Sequence, residues 1–306
     1  MDVAFVITLL AATIRVSTPI LYAALGEVIT ERAGILNLGI EGTMFLSSFV
    51  GFWVAMLTKS LELGLLAAIA TGVALGLLMG LLTVTLGLSQ HVSGLGVTLL
   101  GTGLALFVYR LAFPNPDLPP KLDAPFPVLG ILPADSALAP IFNQTALTYL
   151  VFLLVPAIWW LLHRTGFGLN LRACGENPEA ADTAGVNVHA MRYRALILGG
   201  ALMGIGGASL SMALLDSFTF GIVAGRGWVA IALVIFGNWV PLRVMLGTLL
   251  FSVFQALQLR LQAQGFDLPY WFLISLPYLI TIAALILAGR NASYPGALLK
   301  PYRRES

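Results

Sequence analysis

The chain alternates between long apolar stretches and short polar breaks, the pattern of a protein that crosses a membrane several times. Asp, Glu, Lys and Arg are absent from residues 63–109, and similar uncharged runs recur in the second half. Each such run can hold a helix of about 20 residues, the length that a bilayer core requires. We therefore expect an all-α polytopic membrane protein of about nine transmembrane helices (about eight to ten), some of them discontinuous. They are placed near 3–25, 36–58, 63–87, 92–113, 144–163, 195–215, 222–240, 244–263 and 269–289.

Composition agrees with this pattern, because 58% of the residues are hydrophobic and only 10% are charged, whereas soluble domains carry about 25% charged residues. Basic residues concentrate in residues 164–194 and in the C-terminal tail, so the positive-inside rule places both in the cytoplasm. With nine spans the N-terminus is then outside. The proline-rich residues 114–143 indicate an external loop, and residues 1–306 are expected to form one transmembrane domain of a multi-pass protein of the cell membrane. A net charge of +2 gives no indication of a nucleic-acid partner.

Within the central loop, Asn177 is a good N-cap, Pro178 suits the first helical position, and Glu179 and Asp182 favour the positive end of a helix. Ala180 and Ala181 offer a slim face for a partner surface, and Gly185 can turn the chain out of the helix. The pattern predicts a short helix near 177–185, held in water for a partner.

Two apolar stretches are interrupted, the first at residues 27–42 and the second at residues 89–96. Broken helices at membrane depth are tolerated where they line a cavity or a substrate site. Ordinary cytoplasmic turns between spans would give the same pattern. Arg15, inside the first span, can reach the interface, pair with Glu27 or Glu41, or face a partner.

The segment Glu179-Ala180-Ala181, followed by Gly185, resembles the cytoplasmic coupling loop of ABC importer permeases. Residues 31–42, 172–181 and 225–232 resemble the branched-chain amino acid, ribose and nucleoside permeases, and among them most resemble the nucleoside type. The resemblance implies four partners: a second homologous permease, a cytoplasmic ABC ATPase present in two copies, an external substrate-binding protein, and a small solute, expected to be a nucleoside. It assigns contact with the ATPase to Glu176, Asn177, Pro178, Glu179, Ala180, Ala181, Asp182 and Gly185.

For the substrate pathway the candidates are polar and aromatic residues in or beside the interrupted spans. Polar side chains would bind ribose hydroxyls or base edges, and aromatic rings would stack on a base. Anchoring at the membrane interface is the alternative role for the aromatic residues, and a place at the outer water boundary is the alternative for Asp216 and Arg226. The candidates are Asn37, Glu41, Gln90, His91, Ser93, Asp216, Phe218, Phe220, Arg226, Trp228 and Asn238.

Other chemistry finds little support in the sequence. None of the three lysines follows a glycine, so the chain has no Walker A loop, and ATP and Mg²⁺ are expected on the partner ATPase. No His-Glu-x-x-His or Gly-x-Ser-x-Gly motif indicates an enzyme, and three separated histidines do not predict a metal site. Sugar or branched-chain amino acid transport, and ion-coupled secondary transport, remain the alternatives. Cys174 is the only cysteine, so no intrachain disulfide forms.

Overall fold

The computed structural model describes residues 3–113, 119–263, 270–288 and 293–302, and these residues form helices and connecting segments without a β-sheet. Seven of the described helices are long and apolar enough to cross a membrane. As the sequence predicts, the chain is an all-α polytopic membrane protein. The helices are α1 (Val3–Arg32), α2 (Ile40–Thr58), α3 (Leu61–Thr85), α4 (Gln90–Ala112), α5 (Ala139–Phe142), α6 (Ala146–Arg164), α7 (Gly166–Glu176), α8 (Pro178–Thr183), α9 (Val188–Leu214), α10 (Arg226–Phe236), α11 (Pro241–Ala263) and α12 (Tyr270–Ala288).

One departure from the predicted spans lies in α1, which continues to Arg32 instead of ending near residue 25. Glu27 and Glu31 are therefore helical, and both are almost fully buried. The first predicted interruption shrinks to residues 33–39. The second also shortens, since α4 already begins at Gln90 and residues 90–96 are helical.

The span predicted near 222–240 is not a single full-length helix. Residues 215–225 are irregular, and α10 that follows has only 11 residues. Such a helix is about 16 Å long, roughly half of the hydrocarbon core. Irregular backbone at this depth is tolerated because protein surrounds it, as at Phe218, Ile222 and Val223, which are buried.

Close backbone contact holds α3 against α9. A Cβ atom added to Gly72 would lie 2.1 Å from the carbonyl oxygen of Gly200, so only glycine fits this approach. Small residues at helix contacts are the usual packing chemistry in a membrane. α9 ends in a π-helical turn, Leu210–Leu214.

The two ends of the bundle differ in what they carry. One end, called the α8 end, collects the 33–39 turn, α7, α8, the 237–240 turn and residues 293–302. At the opposite end Arg260 Nη1 donates to the Phe5 carbonyl oxygen, and the 119–138 segment is held by a bridge from Lys121 to Ser217. Residues 114–118 of the predicted external loop, the ends of the predicted span 269–289 and part of the basic tail lie outside the described residues.

Candidate functional site

The predicted short helix is present as α8, and its caps are those that the sequence indicates. Asn177 Oδ1 accepts a hydrogen bond from the Ala180 N–H at 3.0 Å, and Pro178 occupies the first helical position. At the other end Gly185 has φ of +86°, its N–H donates to Asp182 O, and the Val186 N–H donates to Ala181 O. These two bonds form a Schellman motif, for which a left-handed glycine is suited.

One detail of the predicted contact face changes. Glu179 and Ala180 are exposed, but Ala181 is buried in the chain's own core. Ala181 therefore anchors α8 to the bundle and is not available to a partner surface. The exposed face of α8 is formed by Glu179, Ala180 and Thr183.

α7 joins α8 to the end of α1 by direct backbone contact. A Cβ atom at Gly175 would lie 2.1 Å from the Arg32 carbonyl oxygen, so the two segments touch without an intervening side chain. Glu176 Oε1 lies 3.9 Å from Arg32 Nη1, and Glu176 Oε2 accepts from the Gly296 N–H at 3.1 Å. The Ala297 N–H donates to Gly175 O at 2.8 Å. Residues 293–302 are thus hydrogen-bonded to the end of α7 where it contacts α1.

From α1 the contacts continue to the 237–240 turn. Arg32 Nε donates to Trp239 O at 3.4 Å, and the Trp239 Nε1–H donates to Glu31 Oε2 at 2.6 Å. Trp239 is fully buried and, like Asn238, has a positive φ. Non-glycine residues with a left-handed backbone conformation are uncommon, and they persist where the surrounding structure stabilises them. The turn that ends α10 is therefore locked to the end of α1.

The same helix end also fixes the start of α2. Glu27 Oε1 accepts from the Asn37 N–H at 2.8 Å, and Asn37 Oδ1 accepts from the Gly39 N–H at 3.0 Å. Gln90 secures the preceding turn, because it accepts from the Leu36 N–H and donates to Gly34 O. Asn37 and Gln90 are buried and are engaged in backbone hydrogen bonds.

Two helix N-termini meet at Glu41. This residue lies in the first turn of α2, and its carboxylate accepts from the Gly225 N–H and the Gly227 N–H, each at 2.8 Å. A carboxylate is favoured at the positive end of a helix, so Glu41 stabilises the start of α10 while belonging to α2. Arg226 folds back on the irregular half, and its Nη1 donates to Ile222 O and Val223 O. We call the contact of Glu41 with residues 225–227 the α2–α10 joint.

The remaining pathway candidates are dispersed. Phe218 is fully buried in an aromatic cluster with Phe45, Phe49 and Tyr109, and Phe220 packs on Tyr109 from an exposed position. Ser93 is buried, and its hydroxyl has no hydrogen-bond partner among the described residues.

The other four candidates occupy three different places. His91 and Trp228 are exposed on the outside of the bundle. Asn238 lies at the α8 end, where its Oδ1 accepts from the Ser293 N–H. Asp216 lies at the opposite end, next to the bridge from Lys121 to Ser217.

Sequence reasoning missed Glu31, Trp239, Arg32 and Gly175 as connecting residues. The spacing of the two acidic residues could have indicated that they act together, since Glu27 and Glu31 are four residues apart and share a helix face. The sequence did not decide which residue Arg15 contacts. In the structure Arg15 Nε donates to Gln144 Oε1 at 3.1 Å instead of pairing with Glu27 or Glu41.

Cys174 is a buried free thiol, and burial raises its pKa while Arg192 lowers it in part. The described residues contain no cluster of three His, Cys, Asp or Glu side chains that would hold a metal ion.

Comparison with known proteins decides the family. Residues 9–290 match the family described as branched-chain amino acid transport system, permease component. The chain belongs to this permease family. It is an ABC permease subunit, since the relatives matched over most of its length are named as ABC transporter permeases.

Three relatives cover nearly the whole chain. A putative glucose ABC transporter permease of Haloferax volcanii is 38% identical over 98% of this chain and 99% of its own length. A guanosine ABC transporter permease of Bacillus subtilis is 31% identical over 99% of this chain and 98% of its own. A nucleoside ABC transporter permease of Lactococcus lactis is 33% identical over 92% of each chain. No solved structure matches the chain significantly.

Proposed function

We propose that this permease subunit serves an ATP-driven importer for nucleosides. It would form the substrate pathway with a second homologous permease, take energy from a cytoplasmic ATPase that binds ATP and Mg²⁺, and receive solute from an external binding protein. The observation that carries the proposal is α8, a solvent-exposed, doubly capped helix whose base is fixed to the end of α1. A helix that is rigid at both ends and anchored to a transmembrane helix is suited to receive a mechanical input.

The route for that input is the chain of contacts through Gly175 and Arg32. When the ATPases close, α8 and α7 move together with the α1 end, because Gly175 touches the Arg32 backbone directly. Arg32 and Glu31 carry the displacement to the turn at Trp239, which ends α10. Glu27 carries it to Asn37 at the start of α2. Both routes converge on the α2–α10 joint, where a short helix meets irregular backbone, and this joint is the element that switches between two arrangements.

Nucleosides are proposed as the cargo because guanosine and nucleoside permeases are similar to this chain over 90% or more of their length. Hexose transport is the second candidate, favoured by the 38% identity to a putative glucose permease. Ribose and glucose share a hydroxylated ring, so one pathway lined by polar groups suits either class.

The test is uptake by the complete complex in proteoliposomes, with its binding protein outside and ATP inside. Labelled guanosine, uridine, glucose and leucine are offered in parallel, with a non-hydrolysable ATP analogue as the control. The proposal expects ATP-dependent accumulation of a nucleoside above glucose and leucine. Accumulation of glucose alone would transfer the assignment to sugars, and uptake by the permease without ATPase would refute ATP-driven transport.

A further inference from the structure

A cavity of about 250 Å³ lies at the opposite end of the bundle from α8, and its lining includes Arg15 and Gln144, whose hydrogen bond is described above. Its walls come from α1, the start of α6, the π-helical turn of α9 and the 125–128 segment. The cavity is smaller than a typical site for a drug-sized ligand, about 300–1,000 Å³. It therefore suits a single ring or a similarly compact group.

Opposite charges face this cavity from two different elements. Arg15 lines it from α1 and is oriented by its Nε hydrogen bond to Gln144. A guanidinium has five N–H donors, and Gln144 is the one described side chain that Arg15 contacts by hydrogen bond. Asp216 lines the cavity from the chain that leaves α9.

Asp216 is held in an unusual state. Its Oδ1 atom is buried and accepts no hydrogen bond from the part of the chain that the structure describes. Its φ is +53°, and it lies two residues after the π-helical turn Leu210–Leu214. π-helical turns and left-handed non-glycine residues occur preferentially at functional sites, and Asp216 lines the cavity from such a position.

The remaining walls add neutral hydrogen-bonding groups and one aromatic side chain. Thr18, Thr145, Thr148 and Ser209 contribute hydroxyls, and Phe126 contributes an aromatic side chain. One cation and one anion at the same cavity disfavour a ligand with a net charge, because either sign would approach a like charge. A neutral ring with neighbouring hydroxyls provides donors for the carboxylate and acceptors for the guanidinium.

We propose that this cavity binds the hydroxylated ring of the transported solute, the ribose of a nucleoside or a hexose, as it passes from the binding protein to the membrane pathway. The inference rests on the proposed import function and names a site within it. Both solute classes carry neighbouring ring hydroxyls, which can donate to the Asp216 carboxylate that lines the cavity.

The experiment measures equilibrium binding of labelled guanosine and of labelled glucose to the purified complex without ATP or binding protein. Asp216→Asn is the main variant, because asparagine tolerates a left-handed φ and keeps the side-chain shape. Asp135→Asn is the control, since Asp135 is an exposed carboxylate of the 119–138 segment and does not line the cavity. Arg15→Lys retains the charge but loses the planar fork.

The expected result is a weakening of about tenfold or more for Asp216→Asn, the scale of one hydrogen bond to a charged group, with no change for Asp135→Asn. Wild-type complex should prefer guanosine to 2′,3′-dideoxyguanosine, and Asp216→Asn should lose that preference. The guanosine and glucose arms show which ring is bound.

If Asp216→Asn binds guanosine and glucose with wild-type affinity and keeps the preference for guanosine over 2′,3′-dideoxyguanosine, the cavity proposal is overturned. Uptake by the wild-type complex would in that case still support the import function. Absence of both binding and uptake of nucleosides and sugars by the wild-type complex would overturn both.

Discussion

Replacing Gly175 with alanine tests the contact between α7 and the end of α1. The new Cβ would lie 2.1 Å from the Arg32 carbonyl oxygen and 3.2 Å from the Gly34 nitrogen. Ordinary contact begins at 3.4 Å, so α7 must withdraw by about 1.3 Å. Overpacking of this kind typically costs about 1–3 kcal/mol. If that cost falls on the α1 contact, it lowers the coupling between α8 and the pathway by about 5- to 150-fold.

The assay is the number of solute molecules imported per ATP hydrolysed in proteoliposomes. Gly166→Ala is the matched control, because Gly166 is in the same helix and a Cβ there meets no atom within 4 Å. We expect Gly175→Ala to hydrolyse ATP with strongly reduced import, and Gly166→Ala to match the wild type. If both variants assemble equally well and import the same number of solute molecules per ATP hydrolysed, the proposed role of this contact is refuted.

Three further predictions address other parts of the structure. Glu41→Gln removes the negative charge of the carboxylate that accepts hydrogen bonds from the Gly225 and Gly227 N–H groups. We therefore expect the free energy of unfolding to fall by about 1.5–3 kcal/mol. This fall should appear as a lower thermal midpoint, whereas Glu62→Gln, in the exposed first turn of α3, should leave the midpoint unchanged. Gly72→Leu should prevent the α3–α9 contact and abolish assembly in gel filtration, and a monodisperse complex would contradict this. Cys174, whose pKa is raised by burial, has little thiolate at pH 7, so maleimide should label it slowly before and rapidly after denaturation; equal rates would contradict its burial.

Local signals in the sequence were sufficient to predict α8, because Asn177, Pro178 and Gly185 act on their immediate neighbours. Hydrophobic runs likewise located most of the transmembrane helices. The broken crossing at residues 215–237 escaped prediction because the apolar run from Gly227 continues past α10, and hydropathy does not distinguish a half-length helix from a full span. Its stabilising partner, Glu41, lies 184 residues from Gly225 in the chain.

The residues that connect α7, α1 and the 237–240 turn could not be predicted either, because their partners are distant in the sequence. Glu31 and Trp239 are 208 residues apart, and nothing near either residue indicates the other. The close approach of Gly175 to Arg32 depends on how α7 folds back on the bundle. Sequence patterns therefore predicted which elements form, whereas the contacts that join them required the three-dimensional structure.

The central claim is that a partner ATPase drives this permease through α8. The most direct measurement is ATP-dependent nucleoside uptake by proteoliposomes that contain the complete complex with Glu179→Arg, compared with Glu179→Gln and the wild type. Glu179 is exposed, so neither substitution disturbs the core. The account predicts that Glu179→Arg abolishes uptake while the complex still binds solute, and that Glu179→Gln retains a measurable part. Wild-type uptake by Glu179→Arg would contradict the account.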